Sequence, residues 1–374
     1  MVVKVTKGGK SETLKASELL KTFQKDFGDG IGSFGGKLVN AERIPTGIFE
    51  LDLGLGGGFP RGKVSIIFGP ESSGKTNAAL LAIANHQRMY PKLTCAFVDI
   101  EHGFDPAWAA ALGVDVKKLI VIKPSYAEQA VDMVESLLYA TDCGLVVVDS
   151  LAALVTSSEI DSSAEKAVVG GAALVIGKLT RKTTLALSEA EKEGRYPTLI
   201  YINQISYKIG VMFGDPETQP GGKKPLFQAS IILRLYGKNK IDGKVSQTMP
   251  VSKETTFIIR KYKTPIYAVS GKFEVAMCRY KGLKPGQSDD FGAVSDMLKS
   301  YGQFDKSKTG KGWSIAGVEY PTIADFKEKF YGDPDFGNQI RQALIDRVTK
   351  DNGLMEQGDG SEDLHDPVTG EPDG

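Results

Sequence analysis

An eight-residue string, GPESSGKT at Gly69–Thr76, constrains this chain more than any other feature. It fits G-x-x-x-x-G-K-[ST], follows the apolar run Val64–Phe68 and opens a helical stretch at Asn77–Met89. In that strand–loop–helix setting, glycines let backbone N–H groups turn inward around a phosphate, and the helix N-terminus adds its dipole. The pattern assigns Gly69, Pro70, Glu71, Ser72, Ser73 and Gly74 to a nucleotide phosphate cradle. It gives Lys75 to the β- and γ-phosphates and the Thr76 hydroxyl to Mg²⁺. The upstream GLGGGFP (54–60) is not a dinucleotide fingerprint, because the last glycine of G-x-G-x-x-G would fall at Phe59; it reads as a turn.

Strands and helices alternate downstream. Thr94–Ile100, Leu145–Asp149, Thr198–Asn203, Ser230–Tyr236 and Thr255–Arg260 read as strands, and Ala107–Leu112, Ala127–Ala140 and Ala172–Ala190 as helices. Apolar runs separated by helices predict an α/β fold with a mostly parallel sheet buried on both faces, whose ligands bind at the carboxyl ends of the strands. Residues 11–27 predict an amphipathic helix with Ser11 as N-cap, broken by the glycines of 28–36. We divide the chain into a helical arm and neck (1–40), an ATPase core (41–283), a small α+β C-terminal module (284–350) and an acidic tail (351–374). The arm packs either on its own body or on a neighbouring subunit.

Of the 374 residues, 46 are Lys or Arg and 46 Asp or Glu, a balance that excludes disorder driven by excess charge. The tail alone carries eight acidic residues and no Lys or Arg, which leaves the rest of the chain at +8. A basic body with an acidic tail suits a polyanion binder whose tail competes for the same surface; a tail that only aids solubility fits equally. No apolar run approaches a membrane span, and the N-terminus lacks the apolar core of a secretory signal. Cys95, Cys143 and Cys278 form no CxxC pair and read as reduced thiols of a cytosolic protein.

A phosphate loop needs an acidic partner at another strand end. LVVVDS supplies Asp149 for the Mg²⁺ shell, with Asp99 as runner-up. Glu101, just past a strand end in FVDIEHGFDP, is the candidate for activating water, and His102 reads as structural. Gln204 ends the strand YINQ, where an amide can sense the γ-phosphate. The long loop that follows, 205–222, carries Lys208, Ile209, Gly210, Val211, Met212, Phe213, Gly221 and Gly222. Loops of this length are seldom kept without a function, and apolar residues beside a lysine suit insertion against bases of a single strand. A mobile lid is the bland reading of the same loop.

Together FGDGIGSF, GPESSGKT, CAFVDIEHGFDPAWAAALGVD, VVVDSLAAL, INQISYKIGVMFGDPETQPGG and LFQASIILRL resemble the RecA recombinase family over roughly 20–350. The resemblance implies ATP and Mg²⁺, with Glu101 activating water and Gln204 as the γ-phosphate switch. It places Asp105 and Trp108 near adenine, Tyr280 as a second aromatic there, and Lys261 and Lys263 on a neighbour's ATP. It makes Glu159–Gly171 and 205–222 the two DNA loops, with Ile209 the wedge, Arg181 on the helix after the first, and Phe227 a subunit-interface aromatic. There are departures. Leu174 and Ser206 stand where the family has arginines, and the first loop has none, so phosphate contacts are either fewer or relocated, for example to Lys166, Lys178 and Lys182. These departures point to a divergent member of the family, for example a phage-encoded recombinase similar to UvsX.

The implied activity is a DNA-dependent ATPase that forms a homo-oligomeric helical filament on single-stranded DNA and exchanges strands with homologous duplex DNA. It would work in the cytoplasm of a bacterium or phage-infected host, without a membrane. A ring helicase of the same fold and a non-exchanging, ATP-regulated DNA-binding accessory protein are the alternatives.

Overall fold

The computed structural model describes residues 6–7, 10–11, 16–27, 42–161, 170–207, 217–245, 247–308 and 310–352. Its centre is an eight-stranded sheet. The strands are β1 (Val64–Gly69), β2 (Thr94–Asp99), β3 (Leu119–Ile122), β4 (Cys143–Asp149), β5 (Thr198–Gln204), β6 (Ile231–Lys240), β7 (Ser252–Tyr262) and β8 (Ser270–Ala276). Their spatial order is β8-β7-β6-β1-β5-β4-β2-β3. Every pairing from β6 to β3 is parallel. β7 pairs antiparallel with both β6 and β8, so the expected parallel sheet ends in an antiparallel ribbon.

The helices form around this sheet. α1 (Ala16–Phe27) lies in the arm. Lys10–Ser11 pairs with Thr6–Lys7 in a short ladder, so the backbone is extended at Ser11 and the helix begins later than predicted. α2 (Phe49–Gly54), α3 (Lys75–Met89) and α4 (Pro106–Ala111) follow. α5 (Ala127–Tyr139) and α6 (Gly171–Lys192) complete the core's longer helices. One apolar cluster joins α3 to residues such as Ile67, Phe97, Val147 and Ile202; another joins α5 and α6 to Ile66, Val98, Val148 and Tyr201. Alternate residues of each strand thus enter opposite cores, the double burial the apolar runs predict.

α7 (Lys224–Gln228) leads into β6. The C-terminal module comprises α8 (Phe291–Ser300), strands β9 (Phe304–Lys306), β10 (Trp313–Ile315) and β11 (Val318–Tyr320), α9 (Ile323–Gly332) and α10 (Pro334–Asp351). α10 starts with Pro334 after the N-cap Asp333, whose carboxylate accepts from the N–H groups of Asp335 and Phe336. The module's core recruits Phe49 from α2, so its apolar cluster reaches across residue 284 into the preceding part of the chain. Arg341 grips buried Asp290 bidentately, Nε to Oδ2 at 2.7 Å and Nη2 to Oδ1 at 3.1 Å, and the Phe49 N–H donates to the same carboxylate. Among the described residues no helix is long and apolar enough to cross a membrane.

Candidate nucleotide site and the root of loop 205–222

β1 delivers the chain to Gly69, where a side chain has no room: a Cβ would lie 2.2 Å from the Leu235 carbonyl oxygen of β6. The loop then turns through Ser72 (φ +57°) and Gly74 (φ +95°) into α3. Lys75 Nζ folds back onto the carbonyls of Gly69 and Pro70, at 3.1 and 2.7 Å. Burial holds this ammonium below the usual lysine range, a state that favours an incoming anion.

Thr76 Oγ1 donates to Asp149 Oδ2 at 2.7 Å, so the two Mg²⁺ candidates stand together. Burial pushes Asp149 up to about 6, against the Thr76 hydrogen bond. One hydroxyl and one carboxylate form a hard-oxygen donor pair. That fits a Mg²⁺ ion that keeps waters and phosphate oxygens as its other ligands. Asp99, the runner-up, is spent on its own loop. Its carboxylate accepts from the N–H groups of Gly103 (2.9 Å) and Phe104 (3.1 Å) and faces Lys123 at 3.7 Å.

Glu101 meets Gln204 across the sheet edge, Gln204 Nε2 donating to Glu101 Oε1 at 2.9 Å. Ser150 Oγ donates to the same oxygen, a contact the motif reading missed. LVVVDS did place Ser150 beside Asp149, but nothing in it pointed to Glu101. Beside Gln204, Asn203 Nδ2 donates to Gln219 Oε1 (3.4 Å) and the Pro220 carbonyl (3.0 Å). Ser206–Tyr207 pairs with Glu217–Thr218, closing the stem of loop 205–222 two residues after Gln204. Gly221 and Gly222 both take positive φ at its far root. Lys208, Ile209, Gly210, Val211, Met212 and Phe213 lie outside the described residues, as do 162–169 of the first loop and the tail from 353.

The remaining candidates are dispersed. Asp105 caps α4, accepting from the N–H groups of Ala107 and Trp108. Trp108 packs on the α3 core and donates Nε1 to Asn77 Oδ1 at 3.0 Å, one residue beyond Thr76. Tyr280 donates its hydroxyl to Asp242 at 3.0 Å. Lys261 and Lys263 donate to the last carbonyls of α7, including that of Phe227, a residue that is itself 70% exposed. Eight residues of strand, about 26 Å at 3.3 Å each, separate Lys261 from Lys253, which touches the phosphate loop. Arg181 is exposed on α6, but Lys182 is committed to Asp132 and Glu135. A cavity of about 780 Å³ lies elsewhere, between the end of α3 and α10, and touches none of these groups.

The model of the RecA N-terminal domain matches residues 14–277. Protein RecA of Streptococcus pyogenes serotype M1 is 33% identical over 370 residues, 96% of this chain and 94% of that protein. Protein RecA of Symbiobacterium thermophilum is 44% identical over 220 residues, 58% of this chain and 61% of that protein. The crystal structure of the RadB recombinase aligns with TM-score 0.45 and 20% identity, covering 62% of this chain and 96% of that one.

Proposed function

The chain belongs to the RecA family, and from that premise we propose that it is a DNA-dependent ATPase. In this reading it assembles a helical filament on single-stranded DNA and exchanges strands with a homologous duplex, acting in the cytoplasm. The observation that carries the reading is the Gln204–Glu101 hydrogen bond at the stem of loop 205–222. A group that senses the nucleotide and a loop that meets DNA then share one strand end.

The residues divide the work as follows. Gly69–Thr76 binds the triphosphate through inward N–H groups, and Lys75 leaves its two carbonyls to meet phosphate oxygens. Thr76 and Asp149 hold Mg²⁺, which neutralises charge on the phosphates when bound. Glu101 accepts a proton from the attacking water while Ser150 and Gln204 orient its carboxylate. The proposed filament puts Lys261 and Lys263 on the neighbour's nucleotide, since their own phosphate loop is too far along β7. Exposed Phe227, beside them on α7, would form part of that subunit contact. Trp108 and Tyr280 remain the candidates for stacking on adenine, and Arg181 for DNA phosphate.

Electron microscopy with single-stranded DNA and a slowly hydrolysed ATP analogue tests the reading. Long helical filaments that need both ligands are expected. Closed rings would move the assignment to a ring motor, and discrete particles on DNA to an accessory binder.

A further inference from the structure

Lys253 on β7 is only 7% exposed, which is rare for a lysine. Its ammonium donates to the Ser72 carbonyl, on the phosphate loop. Among the described residues no carboxylate pairs with it, and burial alone pulls it below the usual lysine range. Its side chain runs along the loop: Lys253 Cδ would stand 3.7 Å from a Cβ built on Gly74. Its charge also acts on Lys75, so two ammoniums border one phosphate cradle. A lone carbonyl is a poor partner for a buried cation, whose desolvation calls for a full negative charge.

We propose that Lys253 is a second cation of the phosphate site, parked on Ser72 until the phosphate chain of a nucleoside di- or triphosphate supplies that charge. The proposal rests on reading Gly69–Thr76 as a nucleotide loop. The competing role is a structural clamp that fixes Ser72 at its positive φ. The two roles differ in sign. Removing a clamp weakens the nucleotide-free protein, whereas removing an uncompensated cation leaves it as stable or more so.

The test compares full-length Lys253→Met and Lys253→Arg with the unmodified chain. Thermal unfolding is followed without nucleotide, and calorimetry gives affinities for Mg²⁺–ADP and for inorganic pyrophosphate. We expect Lys253→Met to keep or raise the nucleotide-free Tm while both affinities fall about tenfold, and Lys253→Arg to recover part of the loss. Unchanged affinities, or a Lys253→Met protein that is destabilised or unfolded without nucleotide, overturn the proposal in favour of the clamp. If the unmodified chain binds neither ligand, the nucleotide-loop reading falls with it.

Discussion

Glu101 is exposed, yet two side chains hold one of its oxygens. Glu101→Gln keeps the size and removes the base. Single-stranded-DNA-stimulated phosphate release should fall about 10²–10⁴-fold while ATP affinity holds, and a loss below tenfold would dismiss Glu101 as the base. A different carboxylate reports on stability. Burial, helped by Asp290, pushes Glu50 up to about 7 from its ordinary 4.5. The folded chain therefore binds this proton more tightly, and stability falls as pH rises from 4.5 through 7 and levels off above. Glu50→Gln should raise stability at pH 8, by up to about 3 kcal/mol, and much less at pH 5. Urea unfolding at both pH values checks this; equal gains would refute it. The motif residues were legible because their chemistry fixes both identity and spacing. Lys253 was not, since a lysine in SKETTF looks the same whether it meets solvent or a phosphate loop.

At the scale of elements, the ribbon β6–β7 is the cradle's outer wall. A Cβ on Gly237 would lie 2.8 Å from the Ser73 carbonyl oxygen, inside contact distance of backbone that cannot yield cheaply. Gly237→Ala should therefore displace the loop and weaken ADP binding at least tenfold while the Tm falls by only a few degrees. Calorimetry alongside thermal unfolding separates the two, and intact ADP affinity would show that the ribbon does not set the loop's shape. The direction of β7 was hidden in the sequence, because period-two alternation is identical for parallel and antiparallel strands. Edge strand β3 was missed for another reason. Ile120 and Val121 are both exposed, so its four residues show no alternation.

For the whole molecule, the boundary drawn at 284 marks a change of texture but not a seam. Arg341 and Asp290 lie buried in the C-terminal module, and the Phe49 N–H of the core shares their carboxylate. Arg341→Ala strands a buried charge and should destabilise the chain by about 3–5 kcal/mol, as one cooperative unfolding transition. A separate, earlier transition for the module would contradict this shared core. Assembly has its own probe. Phe227→Asp should leave the Tm within a few degrees and abolish filaments under the microscope; filaments of normal length would remove Phe227 from the interface. The α/β alternation and both faces of burial could be foreseen from apolar runs. The joining of Phe49 to the last helix could not, since no local pattern records which distant residue fills a socket.

That joining has a consequence for synthesis. Phe49 leaves the ribosome early, but Ile340, Leu344 and Ile345 of the same apolar cluster are about 300 residues downstream. The sheet can close before they emerge. Until α10 arrives, the nascent chain presents an open apolar socket around Phe49 and the half-finished module, the kind of surface that chaperones occupy and aggregation exploits. Translation that stalls before about residue 340 would leave that socket without the helix that fills it.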